Sequence, residues 1–165
     1  MPIALLVLLA ATVSGPGDVQ SLTASSDAVV HARVLRRSSA WAPGGRQIFT
    51  TVVLKTLETW KGDPAAEVTV LVPGGEVGDI TQTVQGVAAF SADEEVVVFL
   101  SRRGGSVYGV ERWALGKFSV GPAAAAPRRA LRDRRGLTCQ GCRAGEADDL
   151  PLDELRARVL ESLVR

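Results

Sequence analysis

Alternating apolar and polar positions through the middle of the chain predict β-strands. Residues 28–37 place small or branched apolar side chains at every second position, with a mixed set between them, as in a sheet with one buried face. Residues 47–60 form a longer stretch rich in Val and Thr, which we expect to bend or bulge partway along. Residues 67–72 resume the alternation after a Lys-Gly turn, so the three segments predict antiparallel neighbours.

Shorter apolar segments divided by turn residues continue this pattern as far as residue 120. Residues 81–90 alternate weakly, whereas residues 96–100 are a continuous apolar run typical of a central strand. Residues 107–113 and 117–120 are the last two predicted strands. Short strands recurring between turns predict an all-β, mainly antiparallel fold, either a sandwich or a barrel.

Two helices are predicted, one on each side of this β-region. Asp18 is suited to cap a short helix over residues 18–25. Residues 150–165 have the apolar spacing of an amphipathic helix. Its apolar stripe consists of Leu152, Leu155, Val159 and Leu163. This stripe either packs on the β-region or binds a partner.

Composition divides the chain into four parts. These are a signal peptide over residues 1–15, a β-domain over 16–121, an Ala-, Pro- and Arg-rich linker over 122–149 and the C-terminal helix over 150–165. The apolar run of residues 3–13 precedes two small residues, Ser14 and Gly15, as in a signal peptide. It is too short to cross a bilayer, which takes roughly 20 residues, so no integral membrane span is predicted. We therefore predict an exported protein, periplasmic or extracellular; the alternative is a first strand or helix of the domain.

Charge and length narrow the class of protein. The chain has 165 residues, enough for one domain with a real core. Its 19 Lys and Arg nearly balance its 18 Asp and Glu, which gives no overall attraction to nucleic acid. The basic run of residues 128–135 lacks interleaved aromatic residues for base stacking, so we expect a solvated linker there and no nucleic-acid partner.

Cys139 and Cys142 are the only cysteines and form a CQGC pair. In an exported protein this spacing favours a local disulfide. A free or intermolecularly paired set of thiols is the next alternative. Half of a zinc site is disfavoured because there is no second cysteine pair and only one histidine. A thioredoxin-like site is disfavoured because no strand precedes the pair.

The sequence contains no recognisable catalytic or cofactor-binding motif. GxSxG and HExxH are both missing, and His31 has no acid or thiol near it in sequence, so we expect a structural or exposed histidine. Gly116, Lys117 and Phe118 do not form a P-loop. We expect close backbone approach at the glycine, a solvated lysine and a buried phenylalanine. We predict no catalytic residue, no cofactor and no metal.

Acidic residues in the turns are the alternative source of chemistry. They are Glu76, Asp79, Asp93, Glu94 and Glu95. If the two turns met, their carboxylates could gather around a cation such as calcium, which takes six to eight oxygen ligands. Turn acids are more commonly solvated, so a metal-dependent or hydrolytic protein, with His31 added to the site, is an alternative reading.

Four segments together resemble a known group of proteins. They are TVVLKTLETWKG, VTVLVPGGEVG, GVAAFSADEEVVVFL and GKFSV, and the resemblance covers roughly residues 26–120. Their order is similar to that in a widespread group of exported, uncharacterised bacterial proteins. The resemblance implies a small β-barrel of the oligonucleotide/oligosaccharide-binding (OB) type, similar in outline to the netrin-like modules of metalloprotease inhibitors. The chain lacks the N-terminal cysteine through which such inhibitors reach zinc, and the resemblance transfers no catalytic residue.

A glycine-rich loop is the candidate binding element. It contains Pro73, Gly74, Gly75, Glu76 and Gly78. Its backbone amides could face a ligand, although a tight turn needs none. Trp41, Trp60 and Trp113 would form a binding patch if two of them were exposed on one face. The sequence thus predicts an exported, non-enzymatic β-barrel module that binds a protein or glycan partner; a thiol-redox role for the cysteine pair is a further alternative.

Overall fold

The computed structural model describes residues 7–9, 12–14, 17–140, 142 and 148–164, with the backbone alone for residues 7–9, 12–14, 138 and 139. Most of this part of the chain is β-strand. The strands are β1 (Val7–Leu9), β2 (Thr12–Ser14), β3 (Ala28–Trp41), β4 (Ile48–Lys61), β5 (Glu67–Pro73), β6 (Gly75–Val77), β7 (Ile80–Val84), β8 (Glu95–Gly104), β9 (Val107–Val110), β10 (Lys117–Val120), β11 (Arg129–Leu131), β12 (Thr138–Gln140) and β13 (Asp149–Pro151). The helices are α1 (Val19–Ser25), α2 (Leu152–Leu163) and a 3₁₀ turn (Trp113–Gly116).

Five strands are hydrogen-bonded in a ring. β3 lies between β4 and β8, and β5 follows β4, all in antiparallel pairs. β9 completes the ring by pairing antiparallel with β8 and parallel with β5. The parallel seam is short: Thr69 lies opposite Val107, and Val70 opposite Tyr108. β10, β11 and β13 extend the same sheet outward from β8.

The predicted β-class is confirmed, but antiparallel pairing holds only for most of the structure. Besides the β5–β9 seam, β1 runs parallel to β7 and β2 parallel to β12. The strand signal of the sequence is local, whereas a parallel pair joins segments that are distant in sequence. The sequence therefore predicted the antiparallel pairing of β3, β4 and β5 correctly but did not predict the parallel pairs.

Two clusters of buried side chains form the core, one on each side of the sheet. Val30, Val52, Val70 and Val98 are among the residues inside the ring. The second cluster includes Val97, next along β8, and is covered by the two helices. Both faces of β8 are therefore buried, which explains its continuous apolar sequence.

The long strands β3 and β4 are irregular, as predicted for the second of them. The pairing of β3 with β4 passes over Trp60 and Leu57 on β4 and over Leu35 on β3. Each extra residue is a bulge that bends its strand and increases the local twist. The two strands thereby curve around the ring interior.

Helix α1 begins at its predicted cap, since the Ser21 amide donates to Asp18 Oδ1 at 2.8 Å. Helix α2 packs on the sheet through Leu155 and Val159, both fully buried. It begins two residues later than predicted because Asp149–Pro151 pairs with β11 as strand β13. Neither described helix is long and apolar enough to cross a membrane.

Several predicted boundaries were wrong. The weak segment 81–90 is a strand only as far as Val84, and the strand predicted to reach residue 113 stops at Val110. Arg112 and Trp113 adopt φ values of 49° and 59°, which end the strand and start the 3₁₀ turn.

Within the predicted linker 122–149, β11 joins the sheet and buries Ala130. The described backbone of β1 and β2 pairs with β7 and β12, while the signal peptide over 1–15 stays a prediction.

Candidate binding site around the glycine corner

The predicted glycine loop is a tight corner packed against β4. Gly74 and Gly75 have φ values of 93° and 140°. A Cβ atom at Gly75 would lie 2.4 Å from the hydroxyl oxygens of both Ser39 and Thr50, which only glycine avoids. The Thr50 hydroxyl donates to the Gly74 carbonyl at 2.8 Å, and the Gly74 amide donates to Ile48. The corner is therefore fixed by close contact before any ligand is considered.

Beyond the corner, β6 and β7 form a small antiparallel hairpin. Glu76 is exposed on β6, and Gly78 lies at the hairpin turn with no atom within 4 Å of the place its Cβ would occupy. The predicted loop residues thus separate into two groups. Pro73, Gly74, Gly75 and Glu76 line a pocket, whereas Gly78 does not.

A polar pocket of about 420 Å³ lies on one side of the corner. Its walls carry hydroxyl and amide side chains, including those of Ser39, Thr50 and Gln82. Much of this polarity is used within the protein: Ser39 bonds to Thr50, and Gln82 accepts from the Ile48 amide at 2.6 Å and donates to a backbone carbonyl. Arg37 donates to the Phe90 carbonyl at 2.9 Å. The side chains of Ser38, Glu76, Thr81 and Thr83 also line this pocket.

A second pocket of about 730 Å³ lies on the other side of the corner. It is called the apolar pocket for its hydrophobic side chains, although charged groups and backbone also form part of its surface. Val72, Ala88 and Val110, of the core cluster inside the ring, form part of its lining. Its floor consists of Phe49, Leu71 and Gly109, on the outer face of β4, β5 and β9. These residues face outward because their neighbours Ile48, Val70 and Tyr108 are buried, and successive strand residues face opposite ways. The remaining lining includes Val87, Arg103, Glu111, Arg112 and Trp113.

Trp113 stands at the edge of the apolar pocket on a backbone that is held at both ends. The Glu111 amide donates to the Phe99 carbonyl at 2.8 Å, and the Ala114 amide to the Gly86 carbonyl at 2.9 Å. A Cβ atom at Gly116 would lie 2.1 Å from the Glu111 carbonyl oxygen, which confirms the predicted close approach at this glycine. The indole is 36% exposed. A positive φ at a tryptophan is uncommon and marks a backbone determined by its surroundings.

The charges of the apolar pocket come from two arginines and one glutamate. The Arg112 Nε atom lies 3.6 Å from a Glu111 carboxylate oxygen, and the Ser101 hydroxyl donates to the other oxygen. The Arg103 guanidinium lies across Gly109, with its Nε atom 2.5 Å from where a Cβ would be. Within the described part of the chain, no carboxylate lies within ion-pair distance of Arg103. The floor therefore carries one guanidinium that no described carboxylate neutralises.

The acids of the predicted cation site do not come together. Across the described residues, no group of three or more His, Cys, Asp and Glu side chains could hold a metal ion. Glu94 accepts from the Lys117 ammonium at 2.5 Å and from the Ser119 hydroxyl, while Glu76 lies on the hairpin. Burial raises the pKa of Glu94, but these two hydrogen bonds, the bond from the Ser91 amide and the positive charge of Lys117 together lower it by more, so the pKa lies below its ordinary value. Lys117, predicted to be solvated, is buried by this pairing, while Phe118 is in the core as predicted.

His31 pairs with Glu95 on the neighbouring strand of the sheet. Its Nε2 atom lies 2.7 Å from a Glu95 carboxylate oxygen, and Glu95 also pairs with Arg33 and Arg128 at 3.1 and 2.9 Å. Burial raises the pKa of Glu95, and the hydrogen bonds from Arg128 and His31 outweigh it, so the pKa lies below its ordinary value. β3 and β8 bring these groups together although 64 residues separate His31 from Glu95. This cluster is an ion-pair network that joins two strands, β3 and β8, to the loop before β11.

The other predicted functional residues occupy separate places. Cys142 is half-buried against the second core cluster, but the Cys139 side chain lies outside the described residues. The disulfide and the redox role therefore stay predictions. Trp60 is buried, whereas Trp41 is 38% exposed and lines neither pocket. The sequence named Trp113 only as one member of a possible tryptophan patch and placed it inside a regular strand, so the pocket beside it was not predicted.

Comparison of the chain with protein-family models, with curated protein sequences and with solved structures gave no significant match. The family resemblance stays a prediction. A functional conclusion has to come from the geometry of the corner and its two pockets.

Proposed function

We propose that this protein is an exported, non-enzymatic β-barrel module of the OB-like type, which binds a protein or glycan partner on the outer face of β4 and β5. The order of the ring supports the fold: its strands pair as first, second, third, fifth and fourth in chain order, with the third and fifth parallel. In OB barrels the face of the second and third strands binds ligands. Here those strands are β4 and β5. The family resemblance points to the same fold, and both supports are fold-level analogies.

The observation that carries this proposal is the apolar pocket on that face. Phe49 and Leu71 form an apolar floor that is open to solvent, and Trp113 stands exposed beside it on a fixed backbone. A concave apolar surface with a few convergent charged groups is the usual form of a binding site. The described residues bring no nucleophile, base and orienting group together in this pocket. A binding role accounts for these features without any catalytic group.

Export is supported by the apolar run of residues 3–13 and the small residues after it. The test is expression of the full chain in a bacterial host, followed by fractionation and mass spectrometry of the N-terminus. We expect the protein outside the cytoplasm, with a new N-terminus close to residue 15. An intact N-terminus on cytoplasmic protein would contradict export and favour the first-strand alternative.

Binding is tested by capture from an envelope extract with the purified protein as bait. We compare Trp113→Ala with Trp41→Ala, because the two indoles are almost equally exposed but only Trp113 lines the pocket. We expect a specific partner to be lost with the first variant and retained with the second. Equal capture by both variants, or no capture above an unrelated barrel, would refute the proposal.

A further inference from the structure

We propose that the apolar pocket binds a peptide segment of a partner protein in which a large apolar side chain stands next to a carboxylate. This inference rests on the proposed function and deepens it, because it selects a protein partner over a glycan. It is carried by three properties of the pocket: the chemistry of its lining, the rigidity of Trp113 and the position of Arg103.

The lining provides few of the hydrogen-bonding partners that a sugar needs. Among the described residues that line the apolar pocket, none has a hydroxyl or amide side chain. A saccharide placed here could bond mainly to the charged groups of Arg103, Glu111 and Arg112 and to the backbone, and Glu111 is already engaged by Arg112 and Ser101, so several of its hydroxyl groups would lose water without replacing those hydrogen bonds. An apolar side chain, in contrast, is favoured by contact with Phe49, Leu71 and Val87. The floor therefore fits the apolar part of a peptide.

The volume and the rigidity of the pocket suit one large side chain and its neighbours. About 730 Å³ lies within the usual range for sites that enclose small ligands. Trp113 offers a flat apolar surface, and its backbone is already fixed by the bonds to Phe99 and Gly86. Little conformational freedom is lost when such a surface receives a ligand. A peptide side chain can therefore be held between the floor and the indole.

Arg103 supplies the preference for a negative charge. The charge of Glu111 is shared with Arg112 and Ser101, whereas no described carboxylate pairs with Arg103. Its guanidinium lies on the floor at Gly109, next to the apolar surface. A guanidinium can form two parallel hydrogen bonds with a carboxylate. The ligand thus presents its carboxylate beside its apolar group.

The missing side chain at Gly109 leaves the space in which the Arg103 guanidinium lies. Two variants can therefore test the position of this guanidinium and its charge separately. Gly109 does not require a positive φ, so alanine is compatible with its backbone. A Cβ atom at 109 would meet only the end of the Arg103 side chain, which is flexible and would move aside. Gly109→Ala therefore keeps the charge but displaces it, while Arg103→Gln removes it.

The experiment is a titration of the full chain followed by the three indole N–H signals in NMR spectra. The probe is the peptide acetyl-Gly-Gly-Phe-Glu-Gly-Gly-amide, with matched peptides that carry Ala for Phe or Gln for Glu. We expect saturable shifts of the Trp113 signal, with Trp60 unchanged as the internal reference. Each altered peptide should bind about tenfold more weakly, a factor that corresponds to one good interaction.

The variants test the role of Arg103. Arg103→Gln and Gly109→Ala should both remove the preference for the Glu peptide over the Gln peptide, by about tenfold. Arg46→Gln is the matched control, because Arg46 is exposed on the loop between β3 and β4 and lines neither pocket. Preserved amide dispersion in the spectra shows that each variant is folded. An unchanged preference in Arg103→Gln would overturn the assignment of the carboxylate site.

The remaining outcomes separate this inference from the proposed function. If tetragalacturonate, and not the peptide, shifts the Trp113 signal, the pocket binds an acidic glycan and the inference is wrong. If no probe binds while capture from extract still depends on Trp113, the binding module stands and the peptide chemistry fails. If capture fails as well, both proposals are refuted.

Discussion

Two arginines three residues apart in the basic run have opposite environments. The Arg132 guanidinium is fully buried, donates to Asp148 at 2.8 Å and to the Gly17 carbonyl at 2.6 Å, and lies over the ring of Phe118. Arg135 is 92% exposed and pairs only with its near neighbour Asp133. Arg132 therefore joins distant segments of the chain, while Arg135 is at the surface.

Replacing Arg132 by Ala should destabilise the protein by about 3–5 kcal/mol, because the buried hydrogen-bond partners are left unpaired. Arg135→Ala is the control and should leave the midpoint of urea unfolding unchanged, since that side chain is solvated. Equilibrium urea unfolding of both variants makes the comparison. Similar midpoints for the two variants would contradict the assigned role of Arg132.

Gly116 is the second residue on which the local structure depends. Alanine there would place its Cβ against the Glu111 carbonyl, a backbone atom that cannot move aside easily. We expect a loss of about 1–3 kcal/mol, typical of overpacking, and a shifted Trp113 indole signal. Gly121→Ala is the matched control, because the nearest atom, the Arg129 carbonyl oxygen, lies at an ordinary 3.6 Å. An unchanged Trp113 signal in Gly116→Ala would mean that this contact does not position the indole.

Composition could not distinguish Arg132 from Arg135, and the basic run was predicted to be solvated throughout. The two differ because Arg132 directly follows β11, which pairs with β10. This pairing places the Arg132 side chain in a buried position beside Leu115. Likewise, Lys117 was predicted to be solvated, yet it is buried against Glu94, which is close only because β10 pairs with β8. A residue's environment depends on the pairing of strands, which the neighbouring sequence does not determine.

At the scale of elements, helix α2 shows what the spacing of apolar residues can and cannot predict. The predicted stripe is correct at its centre, where Leu155 and Val159 are fully buried, but Leu163 is 44% exposed. Periodicity shows which side of a helix is apolar. It does not show where the sheet beneath the helix ends. In the same way, alternation did not show where strand β9 ends, and that strand was predicted too long.

Leu155→Ala should lower the free energy of unfolding by about 2–5 kcal/mol, through lost burial and the cavity that remains. Leu163→Ala should change the free energy of unfolding by less than about 0.5 kcal/mol, because that side chain is largely exposed and buries little apolar surface. Thermal and urea unfolding of the two variants measure the difference. A small effect of Leu155→Ala would show that α2 contributes little to the core.

At the scale of the molecule, the ion-pair networks around Glu94 and Glu95 make stability depend on pH. Both pKa values are lower in the folded protein than the ordinary value of 4.5. A lowered pKa means that the stabilisation is fully present above the unfolded value and is lost as the pH falls through the folded value. We therefore expect stability to decline below about pH 4.5.

The test is urea unfolding from pH 7 to pH 3 with two glutamine variants. Glu95→Gln should be less stable at pH 7 and should lose less stability on acidification than the parent protein, because one of the linked carboxylates is gone. Glu76→Gln, at an exposed carboxylate of the β6–β7 hairpin, should follow the parent curve. Parallel acid losses in Glu95→Gln and the parent would contradict the assignment.

The seam between β5 and β9 gives the ring a place to open. It has two residue pairs, the fewest of any pairing in the ring, so breaking it requires the least loss of structure. Leu71 and Gly109, on the two strands that meet there, both belong to the floor of the apolar pocket. A ligand that binds this floor bridges the seam, and its affinity is coupled to the closed state. Amide hydrogen exchange near Val70 and Tyr108 should consequently slow when the pocket is filled, which makes local opening a direct measure of occupancy.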